Sequence, residues 1–294
     1  MLFLLSFAIT GINAEEKPAP VSWEQIEALA KPKADHLIKY GPDQYQFGEL
    51  RLPDGDGPHP VVVFVHGGCW LADFDLTMAA NLSGELAKAG IASWTIEYRR
   101  IGNEGGAWPG TMHDMSAAVE HLREIEKPYK LDLSRVVLMG HSAGGHLVLW
   151  YAAKSNLKKT SEFYSGSTLD IKGVVPLAAI SNINTYRHEY DTQDCNTAVP
   201  GLLGGEPEAL PERVSQINPT QLLPLKVPVR MVHGSADVLV PLRQSTAFML
   251  EARKTGDDVT LAVVDNAGHF DVIAPFSVAW RMVLRETKAL LGVQ

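Results

Sequence analysis

Three residues of different chemistry, spread from the middle of the chain toward its end, carry the strongest chemical signal. Ser142 lies in Gly140-His141-Ser142-Ala143-Gly144-Gly145, between an apolar run at 134–139 and a second at 146–153. A serine hydroxyl is a weak nucleophile at neutral pH and needs a base to take its proton. His269, in Asn266-Ala267-Gly268-His269-Phe270, is the candidate base and the later proton donor to a leaving group. An imidazole in that role needs an acid that holds its tautomer and stabilises its charged form. Asp237, closing His233-Gly234-Ser235-Ala236-Asp237, is the candidate acid. Asp265 and Asp271 flank the histidine too closely to orient it from behind, so loop capping or solvation is expected of them.

The spacing around Ser142 dictates a sharp turn. Lifting the hydroxyl clear of a strand end requires a strained backbone, with positive φ at the serine, and leaves no room for a Cβ two residues away on either side. Gly140 and Gly144 meet that need. The helix that follows aims its first amides at the place where negative charge develops in acyl transfer, beginning with Ala143. His66-Gly67-Gly68-Cys69-Trp70 offers more amides of this kind, with Gly68 and Cys69 N–H joining Ala143 N–H around an oxyanion. Trp70 either walls the acyl site or packs beneath the loop. His66 is expected to brace the loop, and His233 is read as structural. His141 and His146 face the substrate or are packed. An Arg99–Asp114 ion pair is expected as support for the fold. No histidines or cysteines show metal-ligand spacing, so neither a metal nor any other cofactor is expected.

The elements that must position these residues alternate. Residues 61–65 (Val-Val-Val-Phe-Val) form a continuous β-branched and aromatic run, as a strand buried on both faces requires. A helix is expected over 75–89, a strand over 91–98, a helix over 112–126, then the strand and helix around Ser142. Strands follow at 171–179, 227–232 and 259–264, with helices at 242–254 and 277–291. Ser22-Trp23-Glu24-Gln25 has capping-box form and starts a short helix to about residue 30, and 44–52 reads as an edge strand. Repeated strand–helix units imply an α/β fold with a mostly parallel sheet covered on both faces, and loops at the strands' carboxyl ends that converge. Residues 181–219, rich in Pro and Gly, break the rhythm and are read as a lid with one or two short helices.

The 294 residues suffice for one large α/β domain over 15–294. A net charge of −8 with no Lys/Arg cluster argues against a nucleic-acid partner. Residues 1–14 have a short apolar core, too short to span a bilayer, and end on small Ala14; they read as a signal peptide cleaved before Glu15 for a periplasmic or secreted protein. Of the two cysteines, Cys69 and Cys195, an exported protein either joins them or leaves both free.

The segments containing Cys69-Trp70, Ser142, Asp237 and His269 together resemble esterase/lipase-type α/β-hydrolases, within them the kynurenine formamidase and feruloyl/acetyl-xylan esterase-like branch. Gly-His-Ser-Ala-Gly matches the nucleophile elbow, His-Gly-Gly-Cys the oxyanion loop with Cys69 in place of a third glycine, and Ser…Asp…His is the chain order of that fold. The resemblance implies a serine hydrolase acting on a small ester or amide through an acyl-enzyme. Two substrate expectations follow: short-acyl esters, or N-formylkynurenine, whose carboxylate would need a partner such as Arg187 in the lid. A non-catalytic binding module on the same fold is the alternative of another class. An intact set of three residues plus an oxyanion loop argues against it, and nothing in the sequence indicates oligomeric state.

Overall fold

The computed structural model describes residues 18–189 and 195–294. The expected signal peptide at 1–14 and cleavage before Glu15 lie outside the described residues. In chain order the elements are α1 (Trp23–Glu27), β1 (His36–Lys39), β2 (Phe47–Arg51), β3 (His59–Val65), α2 (Ala80–Lys88), β4 (Ala92–Ile96), α3 (Gly110–Glu120), α4 (Leu122–Ile125), β5 (Leu131–His141), α5 (Ala143–Ala153) and β6 (Gly173–Leu177). Then come α6 (Ile183–Arg187), α7 (Val199–Leu203), α8 (Pro211–Ile217), β7 (Val229–Gly234), α9 (Arg243–Lys254), β8 (Val259–Val264) and α10 (Val278–Leu291).

Strand periodicity sorts the core into two halves. Successive side chains of a strand point to opposite faces. Val61, Val63, Val65, Val136 and Leu138 therefore pack on one face with residues of α3, α5 and α9, such as Met115, Leu147 and Phe248. Val62, Phe64, Val137 and Met139 pack on the other with α1, α2 and α10 through Ile26, Leu82, Leu86, Trp280 and Val283. The eight strands form one sheet in the order β1-β2-β4-β3-β5-β6-β7-β8, parallel from β4 to β8 and antiparallel at β1 and β2. From β3 the chain crosses to β4 on one side; from β5 it crosses to β6 on the other. The loops after β3 and β5 thus leave in opposite directions, and a crevice opens between them. This is an α/β-hydrolase fold.

The strand expected at the edge is β2, but it is not the edge. β1 pairs antiparallel outside it, with His36 opposite Leu50. β1 has four mostly exposed residues, His-Leu-Ile-Lys, and without a buried face it carries no alternation to read. The excursion after β6 holds more helix than expected: α6, α7 and α8, with 3-10 turns at Cys195–Ala198, Pro207–Ala209 and Pro219–Leu222. Pro200, Pro207, Pro211 and Pro219 each sit in a first turn, where a missing N–H costs nothing, so each starts a helix that stays short. Cys195 is bonded to Cys69, with Cα atoms 5.1 Å apart, tying this excursion to the loop after β3 across 126 residues. Among the described residues no helix is long and apolar enough to cross a membrane.

Candidate active site

Ser142 caps α5 at the carboxyl end of β5, with φ 56° and ψ −118°. Its amide donates to the Leu177 carbonyl at 2.9 Å and its carbonyl accepts from His146 N at 3.1 Å, so neighbouring backbone holds the strained turn. A Cβ on Gly140 would strike the Gly144 carbonyl, and one on Gly144 the carbonyls of Val65 and His66. The two glycines therefore allow the turn to close on itself and on the end of β3.

The Ser142 side chain lines a cavity of about 310 Å³ together with His269, Gly68, Cys69 and His141. His269 Nδ1 donates to Asp237 Oδ2 at 2.7 Å, both side chains being almost wholly buried. A proton on Nδ1 leaves Nε2 of the neutral ring as the acceptor on the cavity side. Asp237 Oδ1 accepts from the amides of Leu239 (2.9 Å) and Val240 (2.8 Å). Burial pushes the Asp237 carboxyl up, but the charge of His269 and hydrogen bonds from His233 and His269 outweigh it and hold the group well below the carboxylate range. His233 is clamped in turn, Nδ1 on Ser245 Oγ and Nε2 on the Val240 carbonyl, both at 2.8 Å.

Among the described residues, the amides of Gly68, Cys69 and Ala143 donate to no protein acceptor. The loop carrying the first two is braced from behind. His66 Nδ1 donates to the Gly67 carbonyl at 2.8 Å, and its Nε2 meets Glu97 Oε1 at 3.0 Å. Glu97 also accepts from Tyr98 N (2.8 Å) and Leu76 N (3.2 Å), and pairs with Arg100 Nη1 at 3.1 Å. The Arg100 guanidinium also reaches the Phe74 carbonyl. The sequence signal for Glu97 and Arg100 as supports of this loop is slight, charges within the four residues that follow the apolar run of β4.

His141 lines the cavity, but its Nε2 donates to the His269 carbonyl at 3.0 Å, which makes it a brace of the histidine loop. Burial drives its pKa well below the usual value, so the ring is neutral. Asp271 Oδ2 accepts from Gly268 N and Val21 N, each at 2.9 Å, and so caps that same loop. Arg99 grips Asp114 with Nε (2.8 Å) and Nη2 (2.7 Å), away from the cavity.

The open alternative for Trp70 is decided, and the expectation for Arg187 is corrected. Trp70 does not wall the cavity: consecutive left-handed residues, Cys69 (φ 55°) and Trp70 (φ 59°), turn the indole into the core, where it is fully buried edge-on to His146 at 5.4 Å. Arg187 does not reach the cavity either, because Nε and Nη2 engage Glu206 at 2.9 and 3.1 Å. The apolar wall comes instead from Trp23, Leu71, Phe74, Met78, Leu239 and Phe270, and the excursion after β6 adds Cys195 and Thr197.

Known proteins resemble this chain in sequence, and solved structures resemble it in fold. A probable isoprenylcysteine alpha-carbonyl methylesterase of Oryza sativa subsp. japonica is 27% identical over 241 residues, which cover 80% of this chain and 58% of that protein. Esterase LipC of Mycobacterium tuberculosis is 26% identical over 278 residues, covering 88% of this chain and 66% of LipC. The chain thus spans little more than half to two thirds of these curated relatives' own lengths. Among solved structures, an inhibited esterase B from Lactobacillus rhamnosis superposes with a TM-score of 0.76 at 23% identity, over 90% of each chain. The propionate-bound esterase Est2 of Thermogutta terrifontis does so at 0.69 and 20% identity, covering 89% of this chain and 94% of its own. Residues 49–251, more than half of the chain and including Gly68, Cys69, Ser142 and Asp237, match the BD-FAE family model, and the chain belongs to the BD-FAE family.

Proposed function

We propose that the protein is a carboxylic ester hydrolase of the serine type, selective for short acyl groups. The observation that carries this reading is the 2.7 Å His269–Asp237 hydrogen bond beside a cavity that Ser142 shares with the unpaired amides of Gly68 and Cys69. In the reaction, Ser142 Oγ attacks the ester carbonyl carbon while His269 Nε2 accepts its proton. The carbonyl oxygen becomes an oxyanion that receives hydrogen bonds from the Gly68, Cys69 and Ala143 amides. Collapse breaks the bond to the alkoxy oxygen, which leaves as the alcohol with the proton from His269. Water, activated by the same histidine, then hydrolyses the acyl-enzyme and returns Ser142 to its hydroxyl form.

Short-acyl selectivity rests on the modest cavity and its aromatic walls, Trp23, Phe74 and Phe270. The propionate- and butyrate-bound states named for the Thermogutta esterase concern small acyl groups on a similar fold. The deciding measurement is kcat/KM on p-nitrophenyl esters, with Ser142→Ala as the control. It is expected to be highest from acetate to butyrate and at least tenfold lower at octanoate. N-formylkynurenine is expected to be the poorer substrate, since no Lys or Arg lines the cavity among the described residues to receive its carboxylate. Faster deformylation than acetate hydrolysis would replace this reading by an arylformamidase.

A further inference from the structure

The chain before β1 is tied to the active-site loops. Pro18 accepts at its carbonyl from Asn266 Nδ2 at 2.7 Å, and Val21 N donates to Asp271 Oδ2, the same oxygen that holds Gly268 N. A Cβ on Gly268 would come within 2.8 Å of Pro20. Residues 18–21 therefore lie along the loop that carries His269, and the α1 helix starts from there with a capping box, Ser22 N on Gln25 Oε1 at 2.9 Å. Ile26 anchors α1 in the core.

That anchoring leaves Trp23 pointing at the site. Its ring stands edge-on to Phe74 at 5.7 Å and tilted against Phe270 at 5.5 Å. Phe74 is the side chain packed against Gly68 of the oxyanion loop, and Phe270 directly follows His269. Trp23 thus fills the gap between the two loops, on the wall of the Ser142 cavity. Behind that wall is a second cavity of about 170 Å³, which Trp23, Phe74 and Met78 also line. The same three side chains face both spaces and form the partition between them. The second cavity has buried Ile26 on its apolar side, and exposed Glu27, Lys31, Asp73 and Asp75 around its rim.

We infer that Trp23 is the specificity-determining residue that closes one wall of the acyl site, and that the N-terminal strap 18–27 belongs to that site. This rests on the esterase reading above. The strap lies before residue 49, outside the stretch that matches the BD-FAE model, so the selectivity it sets is supplied by a segment that the family match does not include. An acyl chain longer than the present cavity admits would need the space now occupied by the indole, and removing that ring joins the two cavities into one path toward the surface.

The test compares full-length wild type with Trp23→Ala and Trp23→Phe on p-nitrophenyl acetate, butyrate, hexanoate and octanoate. For Trp23→Ala the octanoate-to-acetate ratio of kcat/KM is expected to rise at least tenfold, mainly through a lower KM for octanoate. Trp23→Phe, which keeps a ring on the partition, is expected to fall between. Trp23→Leu gives the same readout at lower structural risk should the alanine variant not fold. A uniform loss of kcat across all chain lengths would make Trp23 a structural support only and overturn the inference, as would an unchanged ratio. If wild type cleaves none of these esters, the esterase reading itself fails and takes this one with it. Wild-type turnover with an unaltered variant profile refutes the Trp23 inference alone.

Discussion

At the scale of single residues, the site depends on which oxygen Asp237 offers to which partner. One oxygen holds His269 and the other is committed to two backbone amides, so the carboxylate cannot rotate away from the imidazole. In Asp237→Asn, the NH₂ group of the amide, placed toward Nδ1, would enforce the wrong tautomer, with the proton on Nε2. We expect kcat to fall by about 10³–10⁴ while thermal stability changes far less. Asp271→Asn keeps an oxygen that can accept from Gly268 and Val21, and is expected to retain near-normal turnover. Steady-state kinetics on p-nitrophenyl acetate separates the two. Near-normal activity in Asp237→Asn, with a collapse in Asp271→Asn, would move the acid role to Asp271.

At the scale of elements, α5 does two jobs. It is capped by Ser142, and its buried side holds the end of α8: His146 Nε2 donates to the Ile217 carbonyl at 2.8 Å, and Trp150 Nε1 to the Gln216 carbonyl at 2.9 Å. Burial lowers the His146 pKa to about 4. A buried neutral histidine stabilises the fold fully above the unfolded-state value near 6.5. As pH falls from there toward about 4, the unfolded chain takes up a proton that the folded one refuses, and stability is lost, by roughly 3 kcal/mol over that window. His141 is shifted in the same direction. In thermal melts from pH 7 to 4.5, His146→Gln, which keeps an N–H for Ile217, is expected to show a shallower decline in Tm than wild type. Parallel declines would mean that His146 carries none of the acid sensitivity.

At the scale of the whole molecule, the Cys69–Cys195 bond joins the loop after β3 to the excursion after β6 and closes a very long loop of chain. In a chain-entropy treatment such a crosslink is worth about 5 kcal/mol, and it persists in oxidising compartments. This supports export, which we propose from the apolar stretch at 2–9 and the small residue at Ala14. Expressed with residues 1–14 in place in a bacterial host, the protein is expected in the periplasm with Glu15 as its first residue. N-terminal sequencing of the fractions decides this, and intact Met1 in the cytoplasm would rule it out. The denatured, unreduced protein from the periplasm should also show no free thiol.

Local features were legible in the sequence because their causes are local. The Val-Val-Val-Phe-Val run of β3 must be a strand buried on both faces, and a serine spaced between Gly140 and Gly144 at a strand–helix junction must turn sharply. The order of Ser142, Asp237 and His269 along the chain, with a loop following a strand before each, was enough to point to one crevice. What the sequence left open depends on residues that meet only when distant segments pack. Val21 and Asp271 are 250 positions apart, and no periodicity links them. The choice between free and joined cysteines turned on the distance between two loops, and the direction of Trp70 on two left-handed residues that no propensity predicts. The short, exposed β1 has no hydrophobic pattern of its own and exists because β2 offers it an edge. Sequence alone therefore determined the parallel strands of the sheet and the candidate residues at their carboxyl ends. Tertiary packing decided the shape of the cavity around that chemistry, because a wall is built by whichever side chains the fold brings to it, wherever they lie along the chain.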